Sequence, residues 1–309
     1  MAAPAQQAAG RITAIVTAYH PDERLLAVVE SALADCASVV VSDNTPEGSP
    51  SLTGELDDPR VTVLRNTRNL GLGGALNRAL GALPPRDPED HDSALLLLDQ
   101  DSVLPAGLVR GLAAHLAADP GVGVAAPTPW DEAHAAYYSG TAHLHSGVSD
   151  RHTVITSGML LRRSTQEETG PFREDFFVDF IDIDYCLRLR RTGARIVQDW
   201  ELKLPHSMGD RREHRLGPAR VRVTHYPAWR HYWIARNSLR VNVDNVRTHP
   251  GAFLPTARYL AQRFTAAVCF MPPRSGQALA LARGVRDGLT GRATLSYLPE
   301  GAQHSSSVS

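Results

Sequence analysis

From residue 11 to residue 128, short β-branched runs alternate with segments whose apolar residues recur at helical spacing. "RITAIVTAY" (11–19) and "SVVVSDN" (38–44) read as strands, and "DERLLAVVESALADC" (22–36) between them reads as an amphipathic helix. The pattern continues through "VTVLRN" (61–66), a Gly-Ala-Leu-rich stretch (71–83), "ALLLLDQD" (94–101), "AGLVRGLAAHLAAD" (106–119) and "VGVAAPT" (122–128). Repeated β-α-β units predict a mostly parallel α/β sheet with helices on both faces. In such sheets ligands gather beyond the carboxyl ends of the strands, where loops and helix N-termini converge.

Composition narrows the function classes. The chain has 309 residues, of which 43% are hydrophobic, enough for a sizeable soluble core. Lys plus Arg number 32 against 33 Asp plus Glu, so no global field favours nucleic acid, and an anionic ligand must be held locally. Cys36, Cys186 and Cys269 are far apart, with neither CxxC nor zinc-ribbon spacing, which predicts reduced thiols in a cytoplasm. "MAAPAQQAAG" (1–10) lacks the features of a signal peptide and "GAQHSSSVS" (301–309) is small and polar, so both are expected to be loose tails. No stretch approaches the roughly 18 uninterrupted apolar residues of a spanning helix.

Polar residues stand at four strand ends: Thr17, Asp43, Asn66 or Asn69, and Asp99 with Asp101. "NLGLGGALN" (69–77) is not a dinucleotide fingerprint, because Leu76 occupies the third glycine position, and no Gly-Lys-Ser/Thr follows to make a Walker loop. Its glycines, Gly73 among them, suit either close backbone approach to a phosphate or sugar, or tight helix packing. The pair Asp99 and Asp101, with Gln100 between, closes the apolar run "LLLL". Two repelling carboxylates there become favourable when a divalent cation lies between them and an anionic ligand, and oxygen ligands suit Mg2+ or Mn2+.

A second signal is "FFVDFIDIDYCLRLRRTG" (176–193). Asp182 and Asp184 fall where a helix should begin, Arg190 and Arg191 in its last turn, and Gly193 at its end, an order that complements the helix dipole. Capping needs one carboxylate, whereas Asp179, Asp182 and Asp184 are three, flanked by aromatic and apolar residues.

Taken in order, Thr17, Asp43, "NLGLGGALN", "LLLLDQDS", "TSGMLLRR" (156–163), "FFVDFIDIDYCLRLRRTG", His206 and "HYWIARNSL" (231–239) resemble the family 2 inverting glycosyltransferases of GT-A fold, especially their bacterial rhamnosyltransferase-like branch. The resemblance spans roughly residues 11–245. It implies an enzyme that moves a sugar, foremost L-rhamnose from dTDP-rhamnose, onto a bacterial glycan or lipid-linked acceptor. Asp182 would be the catalytic base and Asp184 would orient the acceptor or tune that base. Asp101, Asp99 and His206 would hold Mn2+ or Mg2+. The donor pocket would draw on Thr17, Asp43, Asn69, Gly73, Asp99, Gln100, Asp101 and Arg236, with Asp43 accepting the ring N–H of a pyrimidine. The arginine-containing loop "MGDRREHRLG" (208–217) would close over the diphosphate or simply remain solvated.

The expected division is a tail (1–10), a GT-A catalytic domain (11–225), a C-terminal helical appendage (226–300) and a second tail (301–309). The appendage mixes aromatic and basic residues, which suits either packing helices or a peripheral membrane contact at the inner face of the cell membrane. Alternatives within transferases are another nucleotide sugar such as UDP-galactofuranose, or a small natural-product acceptor. An alternative of another class is a sugar-nucleotide-binding assembly partner without catalysis, against which the retained Asp182 counts. A nucleotidyltransferase is disfavoured because "TAYHPDERL" carries no Gly-rich, Lys-containing phosphate loop after the first strand.

Overall fold

The computed structural model describes residues 11–131, 136–137, 146–206, 211–216 and 219–305. The expected tail at 1–10 lies outside them. The chain divides into two compact units, one running to Glu174 and resuming over Asp182–Ser207, the other formed by Asp175–Ile181 and the chain from Met208 onward. The second unit therefore takes the "FFVDFI" segment out of the middle of the sequence.

The first unit begins with β1 (Ile12–Ala18), α1 (Arg24–Asp35), β2 (Ser38–Asp43), β3 (Val61–Arg65), α2 (Gly71–Gly81), β4 (Ala94–Asp99) and α3 (Leu108–Ala118). It continues with β5 (Val122–Asp131), β6 (Ala136–Tyr137), β7 (Val148–Asp150), β8 (Met159–Arg162), α4 (Arg163–Thr169), α5 (Ile181–Arg191) and β9 (Arg195–Pro205). One sheet carries nine strands in the order β3-β2-β1-β4-β8-β5-β9-β7, with β6 paired to β5. The pairs β1–β2, β1–β4, β2–β3 and β5–β9 are parallel, while β8 runs antiparallel to β4 and β5. This is the expected mixed, mainly parallel α/β architecture.

Alternation along the strands explains why both faces are covered. Ala14, Val16, Val39, Val41, Leu96 and Leu98 join one core cluster with Leu25, Val28 and Val29 of α1 and Leu108 and Leu112 of α3. The intervening Ile15, Val40, Leu95 and Leu97 point the other way and are also buried, as are Ala75, Leu76 and Ala79 of α2. Burying an apolar side chain of this size contributes about 1.5–3 kcal/mol each. A polar residue placed among them would break the layer.

The second unit contains a hairpin of β10 (Arg211–Leu216) and β11 (Ala219–Thr224), then α6 (Ala228–Asp244), α7 (Phe253–Phe270) and α8 (Arg274–Thr290). The segment expected as a closing loop is thus in part an antiparallel strand, with 208–210 and 217 outside the described residues. Helix α8 lies close on α6 because it presents glycines there. A Cβ at Gly284 would stand 2.4 Å from the Tyr232 carbonyl oxygen, and one at Gly288 the same distance from that of Arg236. The expected tail at 301–309 needs correction at its start. His304 is 1% exposed, its ring stacks on Trp233 at 5.4 Å, and its Nε2 lies 3.0 Å from the carbonyl oxygen of Asp175. The aromatic surface of α6 gives an otherwise polar segment something to bury against. Residues 306–309 lie outside the described set.

Candidate functional site

The chain runs β1 to β2 to β3 outward on one side, then returns to place β4 on the other side of β1. That reversal makes a topological switch point, with a crevice beyond the carboxyl ends of β1 and β4. Register brings the sequence-predicted polar residues to that edge: Thr17 pairs with Ser42 and with Asp99, and Ala18 with Asp43. Thr17 is half-buried there. Gln100 accepts a 2.7 Å hydrogen bond from the Tyr19 amide and so ties the turn after β4 to the end of β1.

Asp99, Asp101 and His206 form a cluster in which one ligand atom from each lies within 4.8 Å of the others. Asp99 ends β4, and Asp101 follows in a turn closed by the Ser102 amide donating to the Asp99 carbonyl. His206 lies 104 residues beyond Ser102 in the chain, just past β9, where its amide donates to the Trp130 carbonyl at 2.9 Å. Its Nδ1 lies 3.4 Å from Ser102 Oγ, which in turn accepts from Ser157 Oγ at 2.7 Å. Two carboxylates and an imidazole are a donor set that could hold a divalent cation. Arg24 Nη1 stands 3.5 Å from Asp101 Oδ2 and supplies some of the positive charge that the two acids require. Ser102, Ser157 and Arg24 were not anticipated. Ser157 sits in the quoted "TSGMLLRR", but nothing local marks Arg24.

Several expected donor residues do other work. Asp43 is 0% exposed, its Oδ1 accepting from the Thr45 amide at 2.9 Å and its Oδ2 from Ser51 Oγ at 2.6 Å and Thr53 Oγ1 at 3.0 Å. Burial alone would raise its pKa, but these hydrogen bonds outweigh burial and hold it below the ordinary carboxylate value. The carboxylate anchors the 43–53 turn and leaves no surface for a base, contrary to the pyrimidine-reading expectation. Asn69 is also buried, its Oδ1 accepting from the Gly71 amide at 2.9 Å and so starting α2. Gly73 faces chain rather than ligand: a Cβ there would stand 2.3 Å from the Arg173 carbonyl oxygen.

Arg236 is the clearest correction. It is 2% exposed, and its guanidinium donates to the carbonyls of Arg292 (2.8 Å) and Asp175 (2.9 Å) and to Asn237 Oδ1 (2.8 Å). These bonds make it an internal brace, since a guanidinium so enclosed cannot turn to a diphosphate without abandoning buried partners. Asn237, 0% exposed, sends Nδ2 to the carbonyls of Phe176, Val178 and Asp179. Asp179 receives a two-pronged bond from Arg230 at 2.9 and 3.0 Å. This bracing holds a backbone with φ of +54° at Phe177, +60° at Asp179 and +66° at Phe180, conformations that L residues adopt at a cost.

The braced segment runs straight into α5. Asp182 and Asp184 occupy its first turn, with Arg188, Arg190 and Arg191 in its last, and Gly193 at φ +91° follows. Asp182 is half-buried and its Oδ1 accepts from the Ile183 amide at 2.8 Å. Asp184 is 3% exposed, with Oδ2 2.8 Å from Arg188 Nε and Oδ1 3.6 Å from Arg173 Nη1. Its carboxylate faces inward and joins α5 to the chain before it, leaving Asp182 as the acid of this turn nearer to solvent.

A family model described as glycosyl transferase family 2 matches residues 13–191. Over 75 residues the chain is 37% identical to the succinoglycan biosynthesis protein ExoO of Rhizobium meliloti (strain 1021), a match covering 23% of this chain and 22% of that relative. It is 23% identical over 242 residues to the dTDP-rhamnosyl transferase RfbF of Shigella flexneri, covering 74% of this chain and 78% of the relative. Among solved structures it is similar to the mannosyltransferase PcManGT of Pyrobaculum calidifontis in complex with GDP-Man and Mn2+, with a TM-score of 0.56, 16% identity, and 92% and 88% of the two chains covered. It also resembles GalNAc-T7 with UDP, GalNAc and Mn2+, with a TM-score of 0.53, 14% identity, and 94% of this chain and 56% of the other covered. At these identities the structural likeness speaks for the fold.

Proposed function

Because this chain belongs to glycosyl transferase family 2, its residues 13–191 matching that family's model, we propose that it is an inverting, divalent-metal-dependent rhamnosyltransferase acting in bacterial polysaccharide assembly. Its donor in this reading is dTDP-L-rhamnose, and its acceptor a hydroxyl of a glycan or lipid-linked sugar. The observation that carries the reading is the Asp99, Asp101 and His206 cluster at the mouth of the switch-point crevice. Support for rhamnose comes from likeness to a relative named as a dTDP-rhamnosyl transferase along most of both chains.

Asp99, Asp101 and His206 would hold Mn2+ or Mg2+, which when bound neutralises charge on the departing diphosphate. Asp182 takes the proton of the acceptor hydroxyl as that oxygen bonds to the sugar's anomeric carbon. The carbon's bond to the diphosphate breaks, its electron pair leaving with the phosphate oxygen, and attack from the opposite face inverts the centre. Asp182 stands in the first turn of α5, where the helix dipole favours a negative side chain. Ser102 and Ser157 fix the orientation of the His206 ring through their chained hydroxyls.

The test is binding of dTDP and dTDP-rhamnose by calorimetry, with and without Mn2+, to the native chain and to Asp101→Ala and His206→Ala. Metal-dependent binding that weakens in both variants is expected. Mn2+ dependence unchanged in His206→Ala would remove that residue from the site, and tighter binding of GDP- or UDP-sugars than of dTDP-rhamnose would refute the donor.

A further inference from the structure

Residues 246–286 contain six arginines (247, 258, 263, 274, 283 and 286) and no Asp or Glu, in a chain whose formal net charge is −1. Five of these stand exposed, while Arg263 turns inward over the ring of Tyr226 at 5.0 Å. The same span exposes Val246, Leu254, Phe264 and Leu279, with Leu254 at 79% the most exposed large apolar residue described. Arg286 pairs with Asp287 just beyond the span at 2.7 Å, so the basic charge that stands beside bared hydrocarbon is that of α7, which carries no Asp or Glu.

Helix α7 shows how the two features are arranged. Its inner side, Leu260, Ala266, Ala267 and Phe270, packs into a cluster with Ala235 and Leu281, and Ala267 is its one fully buried residue. Leu254, Ala257, Ala261 and Phe264 recur at i, i+3, i+7 and i+10, which sets them in a single stripe on the outer side, and all four are exposed. Arg258 borders that stripe. Eighteen residues make a rod about 27 Å long. No helix among the described residues is long and apolar enough to cross a membrane.

We infer that the outer face of α7 is an interfacial membrane-docking surface, seating Leu254 and Phe264 among acyl chains while Arg258 beside them meets anionic lipid headgroups. The stripe sets two alanines between its two large residues, an exposed apolar face of the kind that seats at a headgroup boundary. The absence of Asp and Glu from α7 matches a negative surface, where each arginine that reaches it strengthens binding about fivefold. The inference stands on α7 and its charge alone, so it survives or fails independently of the donor-site reading.

The experiment uses the full chain carrying a polarity-sensitive fluorophore on Cys269, which is exposed on α7 while Cys36 and Cys186 are buried. It is mixed with phosphatidylcholine vesicles with or without about one third phosphatidylglycerol, in about 0.05 M and about 0.5 M salt. A blue shift and co-sedimentation with the anionic vesicles are expected, weakened by high salt and small with pure phosphatidylcholine. Leu254→Glu/Phe264→Glu, at exposed positions that folding does not use, should lose binding at least about tenfold, and Arg258→Ala about fivefold. The inference is overturned by no binding to anionic vesicles, by undiminished binding of the double variant, or by a dimer in lipid-free solution that the double variant splits into monomers.

Discussion

Replacing Asn237 by Ala should cost the second unit much of its stability, and the size of the loss can be worked from the structure. Asn237 Nδ2 donates to the carbonyls of Phe176 at 2.7 Å, Val178 at 2.8 Å and Asp179 at 3.1 Å, while its Oδ1 accepts from Arg236 at 2.8 Å. The side chain is 0% exposed. Alanine removes two N–H donors and one acceptor, and each buried polar group left short costs about 1–3 kcal/mol. The carbonyls also belong to a segment with three non-glycine residues at positive φ, each costing on the order of 1–2 kcal/mol unless surrounding bonds impose the conformation. A loss of about 3–5 kcal/mol is therefore expected, against a typical domain stability of about 5–15 kcal/mol. The assay is urea unfolding followed by tryptophan fluorescence, for which Trp233, packed near Phe177, is a reporter within the same unit. Asn237→Asp separates hydrogen bonding from packing, because it keeps the shape but removes both donors and turns a carboxylate toward carbonyl oxygens. It should be at least as damaging as alanine. A loss below about 1 kcal/mol in either variant would refute the reasoning, since buried carbonyls stripped of their donor should not be tolerated so well.

Asp182→Asn keeps size and capping ability but loses basicity, so turnover with a competent acceptor should fall about two to four orders of magnitude while dTDP binding persists. Near-normal turnover would sink Asp182 as the base. Gly288→Ala forces a Cβ to 2.4 Å from the Arg236 carbonyl oxygen, and should lower the unfolding midpoint by the equivalent of about 1–3 kcal/mol; an unchanged midpoint would show that α8 can shift. Asp43 has a folded pKa below its unfolded value, so its stabilisation is present above the unfolded carboxylate pKa of about 4 and fades as pH falls through the folded one. The stability difference between the native chain and Asp43→Ala, measured by urea unfolding from pH 7 to pH 3, should narrow on the acid side, and a difference independent of pH would count against the ionised anchor. His231 and His304 are pushed down chiefly by burial, so the second unit should lose stability as pH drops below about 6.5, where the unfolded imidazoles take up protons first. A melting temperature unchanged from pH 7 to pH 5 would contradict that.

The sequence alone marked the first five strands of the sheet. Alternation of period 2 with period 3.6 is a local property, and it marked β1 to β4 and α1 to α3; β1, β2 and β4 are apolar on both faces because they lie between helices, while the edge strand β3 is half-exposed. The acidic end of β4 was legible for the same reason: a carboxylate after four leucines has left the core. The N-terminal acids and C-terminal arginines of α5 were legible through the dipole they complement. What each polar side chain faces was decided only by tertiary structure. Asp43 and Asp99 both end central strands, yet one is sealed by a turn that folds back with Ser51 and Thr53 while the other meets His206 from a distant strand. Arg236, read from a motif as a phosphate contact, proves to be an internal brace because Asp175, Asn237 and Arg292 converge on it from three parts of the chain. Residue type and spacing limit what a group can do. Which partners satisfy it depends on contacts across scores of residues, where no periodicity carries a signal.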